Sequence, residues 1–370
     1  MISFENVTKR YADGAPAVDG LTFSAPTGKL TVLVGPSGCG KTTSLRMVNR
    51  LIRPSSGSIS VGGESTANMD DSMLRRKIGY VIQHAGLFPH RTIMDNIATT
   101  ARLNGKSRRE ARVAAQGLME RVGLPPSFAK RYPWQLSGGQ QQRVGVARAL
   151  ASDPQFMLMD EPFSAVDPIV RTQLQDEFLR LQRELGKTII MVTHDIDEAL
   201  KLGDLVAVLR TGGQLAQLAS PQELLKRPAD AFVADFIGRD RGYRFLGFAP
   251  IAGNLVIDAE PTVFLGESPD AARSATRERW LLVLDERKRP AGWVEPSRLR
   301  EPVRMEDLNL SGTIAPADGS LRQLLDAVLG SPSRRGPVVS AEGSFLGTVT
   351  ANQVMGALDE RSADELRRSA

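Results

Sequence analysis

A single cysteine, Cys39, is all the thiol chemistry these 370 residues carry. That excludes an intrachain disulfide, and a thiol set in a glycine-rich loop suits a reducing compartment such as the cytoplasm. Long apolar runs are missing too. A membrane-crossing helix needs about 20 predominantly apolar residues, and the best candidates, Leu30–Val34 and Thr188–Val192, are far shorter, so any membrane role is expected to be peripheral. The stretch from Met1 to Gly14 places Glu5, Lys9 and Arg10 where a secretory signal would carry its apolar core. Aromatic side chains make up only 5% of the chain, and none is interleaved with the densest basic run, Lys106-Ser107-Arg108-Arg109. Glu110 and Arg112 follow that run in a helix-like segment, so it reads as a solvated helical face. Despite a net charge of +5, no nucleic-acid partner is expected.

What is present is an ordinary globular composition, 41% hydrophobic and 24% charged, on a chain long enough for two or three domains. Up to about residue 238, short apolar runs alternate with amphipathic ones, the pattern of α/β units around a mostly parallel sheet. The best strands are Thr31–Val34, Ile78–Ile82, Phe156–Met159, Thr188–Val192 and Leu205–Leu209. The stretch Ser107–Leu150 has helical periodicity, broken at Pro125-Pro126 and Pro133, and predicts a helical subdomain over about 84–150, inserted between two strands. A hinge-like segment from Gly238 to about Gly253 reads as a linker over 239–252, leaving a smaller α+β domain over 253–370. That tail holds a weak internal repeat. Leu282-Val283-Leu284-Asp285 leads to Gly292-Trp293-Val294, as Pro337-Val338-Val339-Ser340 leads to Gly347-Thr348-Val349. A helix-like stretch precedes each pair (Ala271–Arg279; Leu321–Leu329) and a helical run is expected after each.

Gly35-Pro36-Ser37-Gly38-Cys39-Gly40-Lys41-Thr42 has the spacing of a phosphate-binding P-loop, directly after a predicted strand and before a helical run. Its glycines let the backbone wrap an anion, so that several N–H groups and a helix N-terminus face the phosphates. Lys41 neutralises β/γ-phosphate charge and Thr42, followed by Thr43, reaches Mg²⁺. These residues make ATP with Mg²⁺ the expected ligand. Further on, the apolar strand Phe156-Met157-Leu158-Met159 ends in Asp160 and Glu161. Behind a P-loop, such a strand brings Asp160 to the metal shell and puts Glu161 where it can polarise an attacking water.

Leu136-Ser137-Gly138-Gly139-Gln140, followed by Gln141-Gln142-Arg143, resembles the signature motif of ABC ATPases. That resemblance implies a P-loop fold of the ABC type working as a homodimer: each nucleotide lies between one chain's P-loop and the partner's Ser137–Gln140. Gln83 resembles the glutamine that touches the metal or water and couples to a permease, which makes it a metal candidate beside Thr42 and Asp160. Ser164-Ala165-Val166-Asp167 resembles the D-loop, His194 the histidine that contacts the γ-phosphate, and Tyr11 the aromatic that stacks on adenine. The resemblance covers about the first 238 residues. It implies an ATP-hydrolysing motor at the cytoplasmic face of the membrane, held there by integral-membrane permease subunits and, through them, a substrate-binding protein.

The segments Ile78-Gly79-Tyr80-Val81-Ile82-Gln83-His84, Gly86-Leu87-Phe88-Pro89-His90 and Phe236-Ile237-Gly238 are similar to those of quaternary-amine importers, which move glycine betaine, choline, carnitine or proline. The tail resembles a tandem pair of CBS domains, modules that often sense adenine nucleotides. It departs from the nucleotide-binding pattern where ribose-binding aspartates belong, with Arg298 in the first copy and Gln353 in the second; Glu295 and Thr350 stand at the preceding polar positions. A dimer-bracing tail is therefore expected as readily as a sensing one. ATPases for sugars, amino acids or polyamines are the alternative, and so, more remotely, is a soluble ABC protein outside transport. The soluble kinds usually carry two motif sets or a long coiled coil. This chain has one set and no sustained heptads.

Overall fold

The computed structural model describes residues 1–12, 14–83, 85–164, 166–251 and 255–359. His84, Ala165 and Gly253, named above, lie outside them, as does the end of the tail beyond residue 359. The chain divides into two compact units, Met1–Gly238 and Arg239–Ala370.

In the first unit, strands that are apolar without alternation are buried on both faces, as the centre of a parallel sheet requires. β3 (Leu30–Val34), β7 (Phe156–Asp160) and β8 (Thr188–Val192) are buried at every position. With β6 (Ile78–Val81), β9 (Leu205–Leu209) and β10 (Leu215–Ala219) they form a six-stranded sheet of order β10-β9-β3-β8-β7-β6. Only the edge pair β10–β9 is antiparallel. The registers Leu33↔Val192, Asp160↔Val192 and Val81↔Met159 bring the carboxyl ends of four neighbouring strands level. In such a sheet that edge is where ligands bind.

A second, antiparallel sheet orders β1 (Ile2–Lys9), β2 (Val18–Ala25), β4 (Ser56–Val61) and β5 (Glu64–Ser65) as β2-β1-β4-β5. β2 alternates buried and accessible positions, as a strand covered on one face should. One core joins the two sheets through Phe4, Leu21, Leu33, Leu45, Leu158 and Ile190, with α1 (Lys41–Val48) and α2 (Asp71–Lys77) set between strands of the two sheets in the chain.

Between β6 and β7 stand α3 (Ile93–Leu103), α4 (Arg108–Arg121) and α5 (Gly138–Leu150). α3 is capped by Thr92 and buries Ile93, Asn96, Ile97, Ala98 and Ala101 on one face. The basic run opens α4, where Ser107 and Glu110 make a reciprocal capping box. α6 (Pro168–Leu185), α7 (Ile196–Leu202), α8 (Pro221–Lys226) and α9 (Ala231–Ile237) complete the unit. Among the described residues no helix is long and apolar enough to cross a membrane.

The second unit is built twice over. β11 (Thr262–Phe264), α11 (Pro269–Ala275), β12 (Leu281–Leu284) and β13 (Pro290–Val294) form the first copy. β14 (Ala315–Pro316), α12 (Leu321–Gly330), β15 (Gly336–Val339) and β16 (Phe345–Val349) form the second. Each copy is a three-stranded sheet with its middle strand parallel to the first and antiparallel to the last. Val283↔Gly292 and Val338↔Gly347 are equivalent pairs, each followed by a register shift at the next position.

Two expectations change here. The described part of the supposed linker is not extended chain: α10 (Arg241–Phe245) and a 3₁₀ turn over Leu246–Phe248 fill it. Leu246 and Ala249 are buried against Leu321, Leu324 and Val338, because their apolar side chains complete the core of the second copy. The helical run expected after Val294 shrinks to a 3₁₀ turn, Pro296–Arg298, since Pro302 breaks the pattern downstream. Its counterpart over 351–359 is helical.

Candidate active site

At the end of β3 the chain turns sharply enough that two glycines have no substitute. Gly40 has φ +91° and a Cβ there would overlap the carbonyl oxygen of Ala17; a Cβ on Gly35 would overlap that of Leu209. Gly40 also brings no capping side chain to α1, so the first-turn N–H groups stay open to an anion. Lys41 is only 7% exposed, and its ammonium donates to the carbonyls of Gly35 at 2.7 Å and Pro36 at 3.0 Å. Cys39 lies buried beneath it, and burial pushes its thiol up from the ordinary value, which keeps it protonated.

Next to the P-loop strand, β8 separates β3 from β7, and β7 delivers its two acids to the same edge. Asp160 is buried and accepts from the Thr42 hydroxyl at 2.9 Å, with the Arg46 guanidinium 3.9 Å from its other oxygen. Burial raises the Asp160 carboxyl; Thr42, Arg46 and Lys41 work against that, while Glu161 adds to it. Glu161 has φ +45°, an uncommon backbone for a residue with a side chain. Its N–H is tied to the Val192 carbonyl at 2.9 Å, and its own carbonyl accepts from the Ser164 hydroxyl at 2.9 Å. Held this way, its carboxylate oxygen Oε2 accepts from Gln83 Nε2 at 3.2 Å and lies 3.2 Å from Nδ1 of His194. Residues from the ends of three strands thus meet at one oxygen.

A cleft of about 480 Å³ is lined by Ala17, Ser37, Gly38, Cys39, Gly40, Lys41, Thr42, Thr43, Glu161 and His194. The Thr42 hydroxyl on its wall, paired with the Asp160 carboxylate, is the hard-oxygen donor set that suits Mg²⁺. Among the described residues no cluster of three or more His, Cys, Asp or Glu side chains stands ready to hold a metal alone, so such an ion would share its shell with nucleotide and water. Pro36 belongs to the same loop through the carbonyl that Lys41 uses.

Other candidates lie apart. Tyr11 is 52% exposed, with the Lys9 ammonium 5.2 Å from its ring centroid, and is not part of the cleft's lining. Ser137, Gly138, Gly139 and Gln140 begin α5, where Ser137 and Gln140 cap each other, and they do not line the cleft either. Gly139 is small because Val170 and Leu174 of α6 press on it. Asp167 precedes α6, and its carbonyl accepts from the Arg171 N–H at 2.8 Å. Arg46 and Ala17 were not singled out from sequence: one is a lone arginine in a helix and the other a backbone wall, and neither carries a motif.

A P-loop closing on two acids from a parallel strand one place removed in the same sheet defines a nucleotide-binding P-loop ATPase. A family model described as ABC transporter matches residues 18–164. The whole chain aligns at 42% identity with 98% of the osmoprotectant import ATP-binding protein OsmV of Salmonella typhimurium. Over 95% of its length it is 40% identical to the carnitine transport ATP-binding protein OpuCA of Listeria monocytogenes, covering 90% of that protein. Among solved structures it resembles a dimeric ATP-binding cassette in a post-hydrolysis state bound to ADP and Pi, with a TM-score of 0.55 and 33% identity, over 60% of this chain and 99% of that one. The chain belongs to the ABC transporter family.

Proposed function

We propose that this chain is the ATP-hydrolysing subunit of an importer for a quaternary-amine osmoprotectant such as glycine betaine, choline, carnitine or proline. The observation that carries the hydrolytic half is the Glu161 carboxylate, held by Gln83 and His194 at the mouth of a P-loop cleft. The P-loop N–H groups and Lys41 would bind the phosphates, and Thr42, Asp160 and Gln83 would hold Mg²⁺, which would supply positive charge against the phosphates. Glu161 orients a water and takes its proton, and His194 fixes both Glu161 and the γ-phosphate. Tyr11 supplies an aromatic face toward adenine from the surface beside β1.

Because Ser137–Gln140 lie outside their own chain's cleft, a second copy is expected to supply them, with the Asp167 segment at the same twofold contact. The homodimer works at the cytoplasmic face of the membrane on permease subunits and, through them, with a substrate-binding protein. The full-length likeness to osmoprotectant and carnitine import proteins supports the substrate class. The tail is read as paired CBS modules that brace the dimer. Against a nucleotide-binding role, Glu295 is taken up by Arg279 at 2.7 Å and Arg298 at 2.5 Å, and Gln353 by Thr350 at 2.8 Å and Asp258 at 2.9 Å. The positions where a ribose would be gripped are thus internally paired.

The deciding experiment reconstitutes the chain with its permease and binding protein in liposomes containing ATP and measures uptake of labelled glycine betaine against choline, carnitine, proline, a sugar and a polyamine. Uptake that needs Glu161 and is competed by quaternary amines is expected. Transport of the sugar or polyamine instead would overturn the substrate reading and leave the ATPase reading standing.

A further inference from the structure

The ring of His194 is 63% exposed, so side-chain packing does not set its direction. Its backbone must, and both neighbours in the chain are fixed. Asp195 caps α7, its carboxylate accepting from the N–H groups of Asp197 at 2.8 Å and Glu198 at 3.2 Å. Thr193 is 2% exposed, and its hydroxyl oxygen accepts from the Asp195 N–H at 3.1 Å. That hydroxyl also acts on the side chain of Glu198, a carboxylate only 6% exposed, and favours its charged form against burial. Gln175 of α6, also 6% exposed, donates from Nε2 to Glu198 Oε1 at 3.0 Å.

A buried acid costs stability that an apolar side chain of the same volume would not. Burial pushes the Glu198 carboxyl up, with Asp195 adding to the shift and Arg171 opposing it. Arg171 lies one turn into α6, where its guanidinium donates to the Val166 carbonyl at 3.0 Å. One carboxylate therefore joins the turn that carries His194 to the helix that follows Val166 and Asp167. We propose that Glu198 is a positioning residue for His194, and that the Gln175–Glu198–Thr193 chain transmits the placement of the Asp167 segment to the hydrolytic site. The inference rests on the assignment of His194 to hydrolysis made above.

Turnover and ATP affinity of the full-length chain test it, with Glu198→Ala and Glu198→Gln each made alone and in a His194→Ala background. Glu198→Ala should lower kcat by roughly ten- to a hundredfold, the size of effect that a small misplacement produces, with the KM for ATP held within about twofold because the phosphate loop is untouched. Glu198→Gln should recover most of the activity, since its amide oxygen accepts from Gln175 and its amide nitrogen meets the Thr193 hydroxyl. In the His194→Ala background, Glu198→Ala should cost nothing more. If Glu198→Ala does not fold, Gln175→Leu cuts the same chain from the α6 side and is read the same way. Wild-type kcat in these variants, or an equal loss with and without His194, overturns the inference and leaves the assignment of His194 intact. A fully active His194→Ala overturns both.

Discussion

Glu161 occupies a left-handed backbone conformation, pinned at its N–H by Val192 and at its carbonyl by Ser164. That backbone places its carboxylate against Gln83 and His194, where the function proposed above makes it the base. Glu161→Gln should keep ATP affinity while hydrolysis falls by about 10²- to 10⁴-fold, as loss of a general base does; equilibrium binding and phosphate release measured side by side check this. Gly40→Ala should instead abolish binding, because the added methyl meets the Ala17 carbonyl at a φ that alanine resists. Fluorescent-nucleotide titration reads it directly.

In the second unit, burial raises the Glu260 carboxyl, against Arg335 at 3.1 Å and a Thr348 hydroxyl bond of 2.9 Å. A carboxyl raised on folding holds its proton longer in the folded chain. Its contribution to stability is thus fullest below the ordinary glutamate value of about 4.3 and is lost as pH rises through the folded value. Glu260→Gln removes that loss. The melting temperature of the variant relative to wild type should move in the variant's favour as pH is raised from about 4 toward 7. A pH-independent difference would show that Glu260 keeps an ordinary carboxyl.

Among the elements, β7 combines two tasks. Its buried residues Met157, Leu158 and Met159 anchor it between β8 and β6, so that Asp160 arrives beside Thr42. Leu158 is fully buried, and Leu158→Ala should cost about 2–5 kcal/mol, the range for a leucine removed from a core, measured by denaturant unfolding. The N-terminus of α5 does not line its own chain's cleft, and this predicts complementation between damaged copies. Ser137→Arg and Lys41→Ala chains mixed together should form heterodimers with one doubly damaged and one intact nucleotide site. ATP-driven association, followed by light scattering, should partly recover over either variant alone. Equal association by both variants and wild type would remove the shared-site arrangement.

At the scale of the molecule, the division after Gly238 assigns α10 to the second unit. A chain ending at Gly238 should therefore stay soluble and hydrolyse ATP, having its own core and the residues of the cleft. Two tails then differ. Residues 239–370 keep Leu246 and Ala249 in the core with Leu321 and Leu324, whereas residues 253–370 lose them, so the shorter piece should melt at a clearly lower temperature. Calorimetry on residues 239–370 should find no micromolar binding of an adenine nucleotide, simple or cyclic; such binding would overturn the reading that Arg298 and Gln353, standing where ribose-binding aspartates belong, leave the tail without a nucleotide site.

Much of the frame was legible in the residues alone. Uninterrupted apolar runs marked β3, β7 and β8, because a strand covered on both faces has no solvent side to keep polar. The P-loop spacing announced itself, since few residue types tolerate that backbone. The tail's repeat stood out through Gly292 and Gly347, which the two sheets use at the same register. Only tertiary structure decided what those pieces do together. It joined Gln83, Glu161 and His194 at one oxygen, left Tyr11 and Ser137 outside the cleft, buried Leu246 and Ala249 of the supposed linker in a core, and placed Glu198 behind His194. Each of these depends on which strand lies beside which and on where a side chain is buried, and such long-range contacts leave no mark in local spacing or periodicity.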